Sequence, residues 1–176
     1  MRRLPALACL CAALVAGCAQ PLREAPAPAG SPLVFVLVRH AEKAADDPKD
    51  PSLSEIGQAR AQRLARSLED AAVMAVYATA YRRTQQTALP TAAAHGRDVL
   101  TYDARQSADA FAAEVRASRR SGTVLIVGHS NTVPAIAAAL CSCAVAPMRE
   151  DEYDRRIEIG IGIDAAGRAT LRETRD

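Results

Sequence analysis

The chain has 176 residues, 49% hydrophobic and 24% charged, with a formal net charge of +2 and only 3% aromatic residues. This length allows one domain able to bury about two-thirds of its unfolded surface, and the composition excludes collagen-like, coiled-coil and wholly disordered classes. Thirty-nine of the hydrophobic residues are alanines, so many apolar positions are small and suit close helix packing.

Arg2 and Arg3 precede an apolar run from Leu4 to Val15, followed by Val15-Ala16-Gly17-Cys18. The run is shorter than the roughly 20 residues of a membrane span, so residues 1–17 are expected to be a signal peptide. The last four residues resemble the bacterial lipobox, which implies lipidation of Cys18 as the first mature residue. Cleavage near Ala16 or Ala19 without a lipid is the alternative. Loss of residues 1–17 removes two arginines and no acid, which cancels the net charge. A neutral domain lacks the electrostatic footprint of a nucleic-acid binder. The expected location is the cell envelope, facing the periplasm, with a membrane contact through the lipid on Cys18. Cys9 and Cys11 leave with the signal, so only Cys141 and Cys143 remain in the domain, as a labile bridge or as two free thiols.

Residues 18–32 carry Pro21, Pro26, Pro28 and Pro32 among alanines, a composition that keeps backbone extended and predicts a tether. A single domain is expected over 33–176. Its apolar β-rich runs alternate with helical patterns: Leu33 to Val38, Ser54 to Glu69, Val73 to Ala78, Arg82 to Ala94, Val99 to Tyr102, Ser107 to Arg120, Thr123 to Val127 and Thr132 to Leu140. The unbroken runs Val34 to Val38 and Val124 to Val127 suit parallel strands buried on both faces, central and adjacent or nearly so. Arg155 to Asp164 alternates polar and apolar residues, turns at Ala165-Ala166-Gly167-Arg168, and continues through Ala169 to Arg172. The fold predicted is a three-layer α/β/α sandwich with a mainly parallel sheet and an antiparallel C-terminal hairpin at its edge.

In such sheets ligands bind beyond the carboxyl ends of the strands. After the first strand comes Arg39-His40-Ala41-Glu42; after the fourth comes Gly128-His129-Ser130-Asn131-Thr132. Two of the chain's three histidines thus occupy equivalent strand ends. The third, in His95-Gly96, reads as a helix C-cap without chemistry. A third strand end, Thr79 to Ala88, brings Arg82 and Arg83 to a helix start, where guanidinium forks and free N–H groups favour anions. Two imidazoles and arginines on one rim suit a phosphate, whose oxygens the cations neutralise while one imidazole attacks phosphorus.

These residues resemble the histidine phosphatase superfamily, over nearly all of 33–160. Its R-H-G motif is matched by Arg39-His40-Ala41, with alanine where the family has glycine. Its L-[ST]-x-x-G element is matched by Leu53-Ser54-Glu55-Ile56-Gly57, its S-P-L-x-R-A-x-Q-T-A element by Thr79 to Ala88, and its second-histidine motif by Gly128 to Thr132. The resemblance implies a phosphoglycerate mutase-like fold and a phosphatase without cofactor or metal. It makes His40 the nucleophile of a phosphohistidine intermediate, with His129 catalytic and Arg39, Arg83, Ser130 and Asn131 as phosphate-binding residues. Such chemistry asks neighbours to push the two histidine pKa values apart. The proton donor expected is Asp103, after the third strand, with Glu42 as competitor. The cluster of Asp151, Glu152 and Asp154 around Tyr153 reads as a solvated strand entrance, and Arg116, Arg119 and Arg120 as exposed charge.

Three other readings are weighed. A serine hydrolase would need a histidine after His129, and none follows. A zinc hydrolase using His40, Glu42 and His129 conflicts with the arginines beside them. A lipid-anchored binding protein that keeps the fold without turnover is the main alternative. The short segment between Arg83 and Val124 argues against a mutase. The expected partner is a phosphorylated small molecule or envelope component.

Overall fold

The computed structural model describes residues 31–162 and 168–175. The expected signal peptide, Cys18, all but the end of the tether, and Ala165 to Gly167 of the hairpin turn lie outside the described residues. Ten elements follow in order: β1 (Leu33–Arg39), α1 (Glu55–Ser67), β2 (Val73–Thr79), α2 (Arg82–Ala94), β3 (Val99–Tyr102), α3 (Ala108–Ser118), β4 (Gly122–Gly128), α4 (Val133–Cys141), β5 (Arg155–Ile161) and β6 (Thr170–Arg175).

The six strands form one sheet in the order β3-β2-β4-β1-β5-β6. The first four are mutually parallel, β5 runs antiparallel to β1, and β6 antiparallel to β5. Strand side chains alternate between faces, and both faces are covered. Phe35, Leu37, Tyr77, Val124 and Ile126 meet α3 and α4 through Phe111, Val115, Ile136 and Leu140. Val36, Val38, Val76, Leu125 and Val127 meet α1 and α2 through Leu64, Leu68, Ala88 and Ala92. The continuous apolar runs of β1 and β4 are the result, and the two strands pair directly.

Helix starts follow their caps. Ser54 Oγ accepts from Gly57 N at 3.2 Å and Ser107 Oγ from Ala110 N at 3.2 Å, so both helices begin one residue after the serine that was expected to open them. His95 is the C-cap of α2, with Gly96 left-handed at φ 61°, and its Nε2 lies 3.0 Å from Leu68 O.

One open alternative is resolved and two expectations are revised. Cys141 and Cys143 form a disulfide, their Cα atoms 5.1 Å apart, around Ser142 at φ 53°. Arg116 is not merely exposed charge: its NH1 donates to Leu140 O at 2.8 Å and satisfies a C-terminal carbonyl of α4. The second hairpin strand runs on to Arg175, because Arg175 reaches Glu152 at 2.7 Å and Asp154 at 2.9 Å across the sheet edge.

Candidate active site

Adjacent parallel strands in register end on the same rim. Arg39 pairs with Gly128 and Ala78 with Val127, so His40, His129 and the start of α2 emerge side by side. His40 N donates to Gly128 O at 2.9 Å, and the two imidazole centroids are 5.5 Å apart. Gly128 is required beneath them, since a Cβ there would stand 2.8 Å from both Thr132 Oγ1 and Tyr102 Oη.

His40 is 3% exposed, and its Nδ1 lies 2.8 Å from Ala41 O. A carbonyl can only accept, so Nδ1 carries the proton and Nε2 keeps its lone pair. Burial, and then the charges of Arg39, Arg83 and His129, push the His40 pKa down to about 3 against the opposing pull of the Ala41 hydrogen bond. The ring is therefore neutral at ordinary pH, as a nucleophile must be.

His129 Nε2 lies 3.1 Å from Thr79 Oγ1, which lies 2.8 Å from Thr84 Oγ1. Thr84 donates to Tyr81 O at 2.7 Å, so the proton order runs from His129 to Thr79 to Thr84. Burial, followed by Arg83 and Arg39, lowers the His129 pKa to about 4. The two histidines are thus pushed down together rather than apart, because the same arginines and the same burial act on both.

Ala41 replaces the motif glycine without positive φ. Its N–H donates to Thr87 Oγ1 at 3.0 Å, and its methyl group packs in a small buried cluster with Leu53 and Ala61. The glycine that matters for close approach is Gly57, where a Cβ would stand 2.3 Å from Glu42 O.

Arg83 reaches the cleft and Arg82 does not. Arg82 is exposed and bonded to Asp50 and Asp46, whereas Arg83 has a side chain 14% exposed, lies 3.7 Å from Asp50, and stacks on Tyr81 at 4.4 Å. Its Nε and NH1 are buried without a hydrogen-bond partner. A cleft of about 380 Å³ brings His40, His129, Arg83, Ser130 and Asn131 together.

The remaining expected site residues lie elsewhere. Arg39 does not line the cleft: it is 2% exposed, bonds Arg149 O and Glu150 O through NH1 and Glu150 Oε2 through NH2 at 3.0 Å, and stacks on Tyr153 at 4.3 Å. Asp103 points to solvent and pairs with Arg105 at 3.2 Å, whose hydrogen bonds hold its pKa below the usual range. Glu42 is clamped by Arg60 at 2.6 and 3.0 Å. Burial pulls the Glu42 pKa up, but Arg60 outweighs it and the net shift is down. Neither carboxylate lines the cleft. Asp151, Glu152 and Asp154 pair with Arg149 and Arg175 at the surface, in keeping with a solvated strand entrance. Among the described residues no three histidine, cysteine or carboxylate side chains converge as metal ligands.

Glu150 escapes sequence reasoning. Its carboxylate lines the cleft and joins Ser130 Oγ to Arg39. The Ser130 hydrogen bond, then Arg39 and Lys43, hold its pKa below the usual range against some desolvation. No motif marked it, since it comes from the irregular loop before β5. Tyr81 and Tyr153, which stack on Arg83 and Arg39, were given no role from sequence, because a ring's stacking partner follows from the fold and not from the motif.

A neutral imidazole and a guanidinium with two N–H groups lacking hydrogen bonds therefore line one cleft. The sequence model of the histidine phosphatase superfamily (branch 1) matches residues 35–106. That segment holds Arg39, His40, Arg83 and Asp103 and three of the four motifs, and over it the family resemblance is borne out. A comparison with curated proteins found no match. Among solved structures, the protein histidine phosphatase SixA complexed with tungstate superposes with a TM-score of 0.62 at 17% identity, over 81% of this chain and 96% of that one. The putative phosphohistidine phosphatase SixA from Agrobacterium tumefaciens gives 0.59 at 19% identity, over 81% and 98%. A mycobacterial glucosyl-3-phosphoglycerate phosphatase complexed with VO3 gives 0.59 at 15%, over 80% and 96%. These likenesses establish the histidine phosphatase fold, phosphoglycerate mutase-like with antiparallel β5 and β6 at the edge.

Proposed function

We propose that this protein is a metal-independent phosphatase that works through a phosphohistidine on His40. The observation that carries the reading is the His40 tautomer: Nδ1–H is spent on Ala41 O, which leaves the Nε2 lone pair free on a ring that lines the same cleft as Arg83. Nε2 bonds to phosphorus, the bond to the leaving oxygen breaks, and that oxygen takes a proton from water. Water then attacks the phosphoenzyme, the electron pair of the N–P bond returns to Nε2, and phosphate leaves. Charge dispersed over the equatorial oxygens is met by Arg83, by Ser130 and Asn131, and by His129, which gains a proton as the dianion binds beside it.

The substrate proposed is an exported phosphomonoester or a phosphorylated envelope component. Support for export comes from residues 1–18, which read as a lipoprotein signal ending in Cys18. Hydrolysis rather than mutase transfer fits the short chain between Arg83 and β4, which leaves no insertion to enclose a substrate. Hydrolysis of p-nitrophenyl phosphate, measured with and without EDTA, tests the reading. Turnover that resists the chelator is expected; turnover abolished by EDTA and restored by a divalent cation would contradict it.

A further inference from the structure

The phosphate cleft continues beyond its wall of Ser130, Asn131 and Glu150. On the far side of these three residues a groove of about 470 Å³ runs between α4 and the loop that follows it, a size ordinary for small-ligand sites. Its character changes from that of the cleft: Pro134, Ala135 and Ala138 line it from α4, and Val145, Pro147 and Met148 face them.

The helix is built to leave this space. Its sequence VPAIAAALC has no charged side chain, and Val133, Ile136, Ala137 and Leu140 are buried on the sheet side. The outward positions are therefore alanines: Ala135 exposed and Ala138 half-buried. Methyl groups there leave a depression that leucines would fill. Met148, at 7% exposure, is held in place across from them. Elsewhere the mouth of the phosphate cleft carries charge, with Lys43 and Arg105. A leaving group passing Ser130 and Asn131 meets apolar surface; one passing Lys43 or Arg105 meets cations.

We propose that this groove receives the leaving group, so that the preferred substrates are phosphomonoesters whose alcohol carries a hydrocarbon chain or ring several carbons long. The proposal rests on the phosphatase reading for the placement of the phosphoryl group at His40. Burying a methylene fully strengthens binding about fourfold, and a groove open on one side delivers about half that free energy, or about twofold per carbon.

The test is calorimetric binding of n-alkyl phosphonates, methyl through octyl, to the full chain, with p-nitrophenyl phosphate turnover measured on the same preparation. The expected result is a Kd that falls about twofold per methylene over the first four to six carbons, and loses that dependence in Ala138→Glu. Val145→Glu, in the loop, gives the same outcome where the helix variant fails to fold. A Kd independent of chain length, with turnover intact, overturns the groove and leaves the phosphatase. A chain-length-dependent Kd without turnover keeps the groove and removes the phosphatase; no phosphonate binding at all overturns the groove, and with turnover also absent it overturns both.

Discussion

At the scale of single residues, Glu150 decides what the ligand-free site looks like. Its carboxylate occupies Ser130 Oγ and Arg39 NH2, two donors that the family motifs reserve for phosphoryl oxygens. The side chain is 81% exposed, so it can swing aside with little loss of packing, and Arg39 would then offer its NH2 to an arriving anion. Glu150→Gln removes the competing charge while keeping the shape. The expected effect is a Ki for inorganic phosphate lowered about three- to tenfold, since charge-assisted hydrogen bonds are about twice as strong as neutral ones. A Ki unchanged or raised in that variant would place Glu150 among the substrate-binding groups instead. Motifs made the positions of His40, His129 and Arg83 in the cleft legible because those positions depend on strand ends and on one helix turn. Asp103 does not reach the cleft, because a position after a strand does not say where a carboxylate turns, and Arg105, two residues on, pairs with it in solution-facing geometry.

At the scale of elements, the motif glycine of α1 acts through packing. Ser54 N donates to Glu42 O at 2.9 Å, and α1 docks its first turn on the same carbonyl, with no room for a methyl group at Gly57. Gly57→Ala must push α1 away from the segment that follows the nucleophile. A loss of about 2–4 kcal/mol in a denaturant titration is expected; a loss below about 0.5 kcal/mol would mean that the helix yields freely. The elements themselves were legible nearly residue by residue, because the buried strands are unbroken apolar runs and Ser54, Ser107 and His95-Gly96 mark helix ends by their own hydrogen-bonding chemistry. The Cys141–Cys143 pairing was not, because spacing alone permits both thiol states and Ser142's left-handed backbone is a conformational fact. The loop at 145–154 was opaque for a related reason: its contacts to Arg39 and Ser130 are long-range, and it repeats with no period.

At the scale of the whole molecule, two neutral histidines, His40 buried and His129 half-buried, couple stability to pH. Both have folded-state pKa values, about 3 and about 4, below the ordinary value of 6.5. Between those limits the unfolded chain binds more protons than the folded one, so stability rises with pH. Stability is full above about pH 6.5 and declines as pH falls toward about 3. The upper part of that range, from 6.5 to about 5.5, isolates the histidines, since carboxylates with lowered pKa such as Glu42, Asp46 and Glu150 differ in protonation between the folded and unfolded chain only as pH nears the ordinary carboxylate values of 4.5 and 3.8. Thermal unfolding followed from pH 7 to 4.5 is expected to show a falling Tm, with a shallower fall in His40→Asn. A Tm flat over that window would contradict the burial assigned to the two rings.

The account turns on a covalent bond between His40 and phosphorus. Its most direct measurement is rapid acid-free quenching of the protein mixed with a phosphate ester labelled on phosphorus, followed by mapping of the labelled peptide, beside a His40→Ala variant. A phosphoramidate label that survives alkali, is lost in acid and maps to His40, with none in the variant, is the predicted result. Turnover that persists in His40→Ala, or a label on any other residue, would contradict it.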